Sequence, residues 1–237
     1  MVPIKITPCP IVDCIVELRF RTSVEGGAIF GIVYQAFKSD YPTVEKMSIL
    51  NIPEQIRIAD RNLIYQPWYR LRNGGFHISI GSRLVGIGRT GEYPGWTVLA
   101  ERFRRLIDTI SGLGIVDVVE RVGLRYINYF DFDIFTKSKL VVSVSGAPIA
   151  SDETLVRAII PGQRYKSTLH VSNHATVMVG GTLKTGSIID IDTSLEADLK
   201  DFFQDSISII DEGHAEEKEV FFSLLDDDLL RTLNPEY

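Results

Sequence analysis

The sequence predicts an α+β protein: mainly antiparallel strands in one or more sheets, covered by helices. Three observations carry that prediction. Stretches that alternate apolar and polar residues recur along most of the chain. The connections between several of them are tight-turn pairs such as Asn73-Gly74 and Gly81-Ser82, which favour hairpins. A few amphipathic stretches with helical spacing supply apolar faces able to cover a sheet.

The first strand runs from Ile11 to Thr22. Val12, Cys14, Val16, Leu18 and Phe20 alternate with Asp13, Ile15, Glu17, Arg19 and Arg21, so one face is apolar and the other charged. Ser23 offers a helix N-cap with Glu25 in the first turn. Ile29, Phe30, Val33 and Phe37 then recur at helical spacing before Tyr41-Pro42 stops the run. Residues 46–88 read as short strands and turns: fragments at 49–52, 57–58, 63–66 and 69–72, then a hairpin through Asn73-Gly74 into Phe76–Ile80. Gly86, Gly88 and Gly91 match the dinucleotide-binding spacing, but that chemistry needs a helix opening directly on the glycines. Glu92, Tyr93 and Pro94 follow instead, so the stretch reads as a glycine-rich strand exit. The second helix carries Trp96, Leu99, Phe103, Leu106, Ile107 and Ile110 on one face and ends at Gly112 and Gly114.

The central stretch from Glu120 to Phe132 is the longest strand expected. Val122, Leu124, Tyr126, Asn128 and Phe130 share one face with Glu120. Arg121, Gly123, Arg125, Ile127 and Tyr129 share the other. Further strands are expected at 140–145, 155–160, 165–171, 175–179 and 187–191, with a turn at Ser172-Asn173. Thr193 and Glu196 have capping-box spacing, so a helical tail is expected from there. Its stripe is Leu199, Phe202, Phe203, Ile207 and Ile210, extended by His214, Phe221, Phe222 and Leu225, with Gly213 as a kink. Asp226 to Asp228 cap a last short turn.

Both halves, 1–114 and 115–237, read as a long strand, shorter strands and a helix. Residues 1–237 are therefore expected to form one domain with a suggested internal duplication, although the second half lacks a helix directly after its first strand.

Composition narrows the function classes. Hydrophobic residues at 45% and charged residues at 24% are ordinary for a globular chain. No apolar run approaches the roughly 20 residues that span a bilayer, and the opening lacks the features of a secretory signal. A cytoplasmic location without membrane partners is the expectation. Cys9 and Cys14 are too few for a disulfide framework or a four-ligand zinc site. His170 and His174 sit across an expected turn rather than on one helix, so no metal and no cofactor is expected. Residues 1–125 hold sixteen Lys and Arg against twelve Asp and Glu; residues 126–237 hold nine against nineteen. That asymmetry suits internal ion pairs, self-association or an anionic ligand, while nucleic acid normally demands a stronger basic excess.

Four segments together resemble a sporadically distributed bacterial family of uncharacterised proteins of about this length. They are Pro10 to Phe20, Gly95-Trp96, Arg121 to Asn128, and His214 followed by Phe221 to Leu225. Asp13 stands where that family is expected to carry glutamate. The resemblance implies no established reaction and no catalytic residue.

No catalytic motif is legible, so the expected function is a non-enzymatic binding protein whose partner is another protein or a second copy. The alternative is an enzyme or sensor that grips an anionic, phosphorylated small molecule through sheet-borne arginines. The one candidate site gathers Glu17, Arg19, Arg21, Arg121, Arg125 and Tyr129, on the expectation that the first and central strands lie close. Four arginines against one carboxylate leave positive charge to be neutralised by an anion, or internally by acids of the tail such as Asp198, Asp201 and Asp205.

Overall fold

A computed structural model describes residues 1–148 and 153–237. Its strands are β1 (Ile11–Arg21), β2 (Thr43–Lys46), β3 (Tyr69–Asn73), β4 (Phe76–Ile80), β5 (Leu84–Thr90), β6 (Val118–Phe130), β7 (Ser143–Val144), β8 (Ala147–Pro148), β9 (Leu155–Pro161), β10 (Lys166–Val179) and β11 (Thr182–Leu199). The helices are α1 (Gly26–Phe37), α2 (Glu54–Ala59), α3 (Trp96–Gly112), α4 (Phe202–Leu224) and α5 (Asp227–Thr232). Nine strands form one sheet in the order β2-β3-β4-β5-β1-β6-β11-β10-β9, and β7 and β8 form a separate hairpin. Every pairing is antiparallel. The α+β, mainly antiparallel class expected from the alternation is the one found.

The strand order mirrors about the β1–β6 pair. In each half the last strand, β5 or β11, returns to hydrogen-bond the first, β1 or β6. The two longest charged-and-apolar strands of the sequence thus lie side by side at the middle of the sheet. Their inward residues are buried by the helices: Val16, Leu18 and Phe20 of β1 and Val122 and Leu124 of β6 are inaccessible to solvent. One cluster joins them to Ile29 and Val33 of α1, to Leu99, Phe103 and Ile110 of α3, and to Phe202 and Ile210 of α4. Burying each such side chain contributes about 1.5–3 kcal/mol, so this face anchors the fold.

Several local expectations yield to tertiary contacts. Residues 48–51 form a 3₁₀ turn and 54–59 form α2, not strands. Pro53 and Glu54 are a helix-start pair, and no neighbouring strand is placed to hold this segment extended. Ser23 does not cap α1, which begins after Glu25; its hydroxyl donates to Asp117 instead. Gly86 and Gly88 lie inside β5, which continues to Thr90, so the glycine spacing belongs to an antiparallel strand. Ser172-Asn173 is a bulge within β10 rather than a turn. Thr193 to Glu196 stay in β11, because β6 pairs with them from Leu124 to Arg121 and satisfies their backbone groups. The helix starts only at Phe202. Asp226 does cap α5, accepting from the Leu229 amide at 2.6 Å.

Gly213 neither kinks nor divides α4, which is continuous. A Cβ at that position would lie 2.8 Å from Leu124 Cδ1 and 3.1 Å from Tyr165 Cε1, so the glycine lets the helix settle onto the sheet. Exchanging glycine for alanine inside a helix normally stabilises by roughly 1 kcal/mol. Here Gly213→Ala is expected to reverse that sign and lower stability by about 1–2 kcal/mol, as overpacking does. Urea denaturation of the variant checks this; a midpoint equal to or above that of the parent would refute the close-approach reading.

Candidate functional site

The other face of the sheet carries the polar halves of the alternating strands. Strand parity and register put Glu17 of β1 between Gly86 of β5 and Gly123 of β6. Because neither neighbour has a side chain, large groups can lie flat there. The Arg121 guanidinium does so, folding over Gly123 where any Cβ would overlap it.

Arg121 is 7% exposed at its side chain and is gripped on three sides. It donates to Glu17 at 3.0 Å and to both oxygens of Asp192 at 2.6 and 2.7 Å, with Glu196 3.6 Å from its Nε. Arg125 makes a two-pronged pair with Asp190 at 2.8 and 2.7 Å. Arg19 donates to Glu17 at 3.0 Å. Arg21 pairs with Glu120 at 3.3 Å, and Tyr65 donates to the same carboxylate at 2.9 Å. Glu120 can reach them because the register slips between Arg19 and Phe20, making it the extra residue of a bulge; strict alternation had placed it on the apolar face. Tyr129 donates to the Thr185 carbonyl at 3.3 Å, away from the cluster.

The sequence-predicted residues Glu17, Arg19, Arg121 and Arg125 are therefore brought together, with Arg21 at one end. The carboxylates that meet Arg121 and Arg125 come from β11, and neither Asp201 nor Asp205 forms an ion pair among the described residues. The side chain of Asp198 lies outside the described residues. The expectation that the neutralising acids come from the helical tail is corrected: Asp190, Asp192 and Glu196 have period-two spacing on a strand. Four arginines face Glu17, Glu120 and these three acids, so the surplus of positive charge is absent from this part of the face.

Beside this network lies a polar cavity of about 210 Å³, walled by Tyr65, Gln66 and Pro67 and floored by β1, β3, β4, β5, β6 and β11; Glu17 and Asp192, both engaged with Arg121, form part of its rim. Three of its lining groups are buried polar atoms without a hydrogen-bond partner: Arg70 Nε, His77 Nδ1 and Ser79 Oγ. The register sets Arg70 opposite Ser79 and Arg72 opposite His77, so the three project from adjacent strands onto one face. Arg72 is occupied by Glu45, whereas Arg70 forms no ion pair among the described residues. The His77 ring lies over Gly88, whose hypothetical Cβ would sit 2.8 Å from it. Burial, reinforced by Arg70 and Arg72, pushes His77 down to about 3, so its imidazole is neutral at ordinary pH.

Asp13 borders the same cavity and accepts from the Thr90 hydroxyl at 2.8 Å. Burial raises its carboxyl, opposed by that hydrogen bond and by Arg70. The arrangement offers a guanidinium, a hydroxyl and a neutral imidazole to one oxyanion. A buried polar group left unpaired costs about 1–3 kcal/mol, which an anion would recover.

Sequence reading missed Arg70, His77 and Ser79, although alternation in Phe76–Ile80 puts His77 and Ser79 on one face. The expected hairpin also set Arg70 beside them; what the sequence lacked was the approach of β1, β6 and residues 65–67, which closes the cavity over the three. His170 and His174 both belong to β10 and do not converge: His170 lies 3.8 Å from Asp190 and His174 4.0 Å from Glu153. Among the described residues no group of three or more His, Cys, Asp or Glu is placed to hold a metal ion, and no helix is long and apolar enough to cross a membrane. No model of a known protein family matches the chain, and no curated protein matches it.

Proposed function

We propose that this protein is a non-enzymatic binding protein that receives a small anion, carboxylate or phosphate, in the cavity bordered by Arg70, His77 and Ser79. The observation that carries the reading is the convergence of three unpartnered buried polar groups on one cavity. The arginine–carboxylate lattice of Arg121, Arg125, Glu17 and Asp192 serves as its rigid neighbour and holds the strands in register. No nucleophile paired with a base borders the cavity, and the buried imidazole is too weak a base for proton transfer near neutrality.

Inorganic phosphate and succinate, titrated against the protein by calorimetry and by thermal shift, test the reading. A ligand that binds only the folded state raises the midpoint. The expected result is saturable binding of at least one of them, weakened tenfold or more in Arg70→Met and in Ser79→Ala. Absence of binding by both, or equal binding by the variants, overturns it.

A second reading, in which a partner protein docks on the sheet, is favoured by the edge strand β9. Leu155 and Ile159 are 71% and 58% exposed there, on the same face as the cavity. Sedimentation of Leu155→Ser/Ile159→Ser against the parent separates self-association from a monomer with a small-molecule site.

A further inference from the structure

On the opposite face, under α4, lies a second and larger cavity of about 440 Å³. The N-terminal segment, the start of α3, β6 and α4 enclose it. Its walls are apolar and aromatic, including Ile6, Ile11, Tyr93, Trp96, Phe221 and Phe222. The Trp96 indole stacks on His214 with ring centres 4.2 Å apart.

Into this apolar space point polar groups that the fold does not use. Asn128 is 2% exposed; its amide nitrogen donates to the Ile189 carbonyl, but its Oδ1 has no partner. Glu217 is 4% exposed, and its carboxyl has neither an ion pair nor a hydrogen bond among the described residues. His214 is not spare, because its Nδ1 is engaged with the Tyr126 hydroxyl at 3.2 Å.

We infer that this cavity binds an apolar molecule carrying a single ammonium group, with the ammonium held by Glu217 and Asn128 and the hydrocarbon against the aromatic walls. Asn128 Oδ1 can only accept, and so can Glu217 once it is ionised, so a cationic N–H donor satisfies both, and aromatic faces favour a cation once water is excluded. A cavity of this size is within the range that encloses small organic ligands.

The charged and titratable neighbours are Lys218, Lys5, Cys9, His214 and the two tyrosines. Lys5 pairs with Glu236 at 3.6 Å. Lys218 is half-buried and forms no ion pair within 4.0 Å among the described residues, but it interacts electrostatically with Glu217 and is the one group that favours the opposite ligand, a carboxylate. Burial raises Glu217 to about 8, so the empty cavity holds it protonated at pH 7. An arriving ammonium ion converts it to the carboxylate and releases that proton.

Calorimetric titration with hexylamine, hexanol and hexanoate decides the matter without any mutation, since the three share a hydrocarbon and differ in head group. Hexylamine is expected to bind at least tenfold more tightly than either, to quench Trp96 fluorescence, and to release close to one proton at pH 7, read from the buffer dependence of the heat. Glu217→Gln is expected to abolish both the preference and the proton release. Equal or tighter binding of hexanoate, equal binding of hexanol, no binding by any of the three, or an undiminished amine preference in Glu217→Gln overturns the assignment.

Discussion

Replacing Arg121 by alanine is expected to destabilise the fold by about 3–5 kcal/mol, the range for stripping one partner from a buried ion pair. The guanidinium is 7% exposed and is the common partner of Glu17, Asp192 and Glu196. Its loss leaves Glu17, itself only 17% exposed at its side chain, sharing Arg19 alone. It also removes the cation that joins Glu17 of β1 to Asp192 of β11, two strands that do not touch each other directly in the sheet. Urea denaturation at pH 7 reads the loss, and pairing Arg121→Met with Asp192→Asn is expected to restore part of it, because the second change removes a stranded charge. A loss below about 1 kcal/mol would mean that the network is solvated and holds nothing. Arg125→Ala is expected to cost less directly, since Arg125 is half exposed, but it strands the 7% exposed Asp190. If either variant weakens anion binding without weakening the fold, the arginines belong to the site rather than to its support.

Glu217→Gln is expected to raise stability, and by an amount that grows with pH. The folded chain keeps the Glu217 proton up to about pH 8, whereas the unfolded chain releases it near its ordinary value of 4.5. Between those limits the folded state binds more protons, so stability declines as pH rises and levels off above 8. A displacement of that size corresponds to on the order of 5 kcal/mol, so the glutamine variant should match the parent near pH 4 and exceed it by up to that amount at pH 9. His77 and His214 act in the other direction. Burial first, then neighbouring cations, lowers both to about 3 from 6.5, so the unfolded chain takes up protons first and stability falls as pH drops from 6.5 toward 3. Parent stability should therefore peak near pH 6–7. Denaturation midpoints of parent and variant between pH 4 and 9 check both slopes; parallel curves would show that water reaches the Glu217 carboxyl.

The alternation of Cys14, Val16, Leu18 and Phe20, and of Val122, Leu124 and Tyr126, was enough to predict two half-buried strands and the α+β class. So were Asn73-Gly74 for its hairpin and the Leu99–Ile110 stripe for α3. These features are legible because period and turn chemistry are local: a side chain's face follows from its position in the repeat. Residues 193–199 were misread because a capping box is also local, yet it competes with a whole strand edge offered by β6, and the edge supplies more backbone hydrogen bonds. The bulge at Glu120 escaped the sequence for a similar reason, since one extra residue in a ladder exists only relative to its partner.

The sequence by itself determined which residues face the core, that strands would pair mostly with their neighbours, and that arginines would gather on the polar face of the two central strands. Only the tertiary structure decided what those arginines meet. Strand β11 arrives beside β6 from some sixty residues away and delivers Asp190, Asp192 and Glu196 in register with Arg121 and Arg125. The return of β5 beside β1 brings β4 and β3 with it, and so sets Arg70, His77 and Ser79 around one cavity. The physical reason is that charge neutralisation and cavity formation depend on lateral strand order, and lateral order is fixed by which apolar faces can be buried together under the helices. Faces are written in the period of the chain; neighbours are chosen by packing.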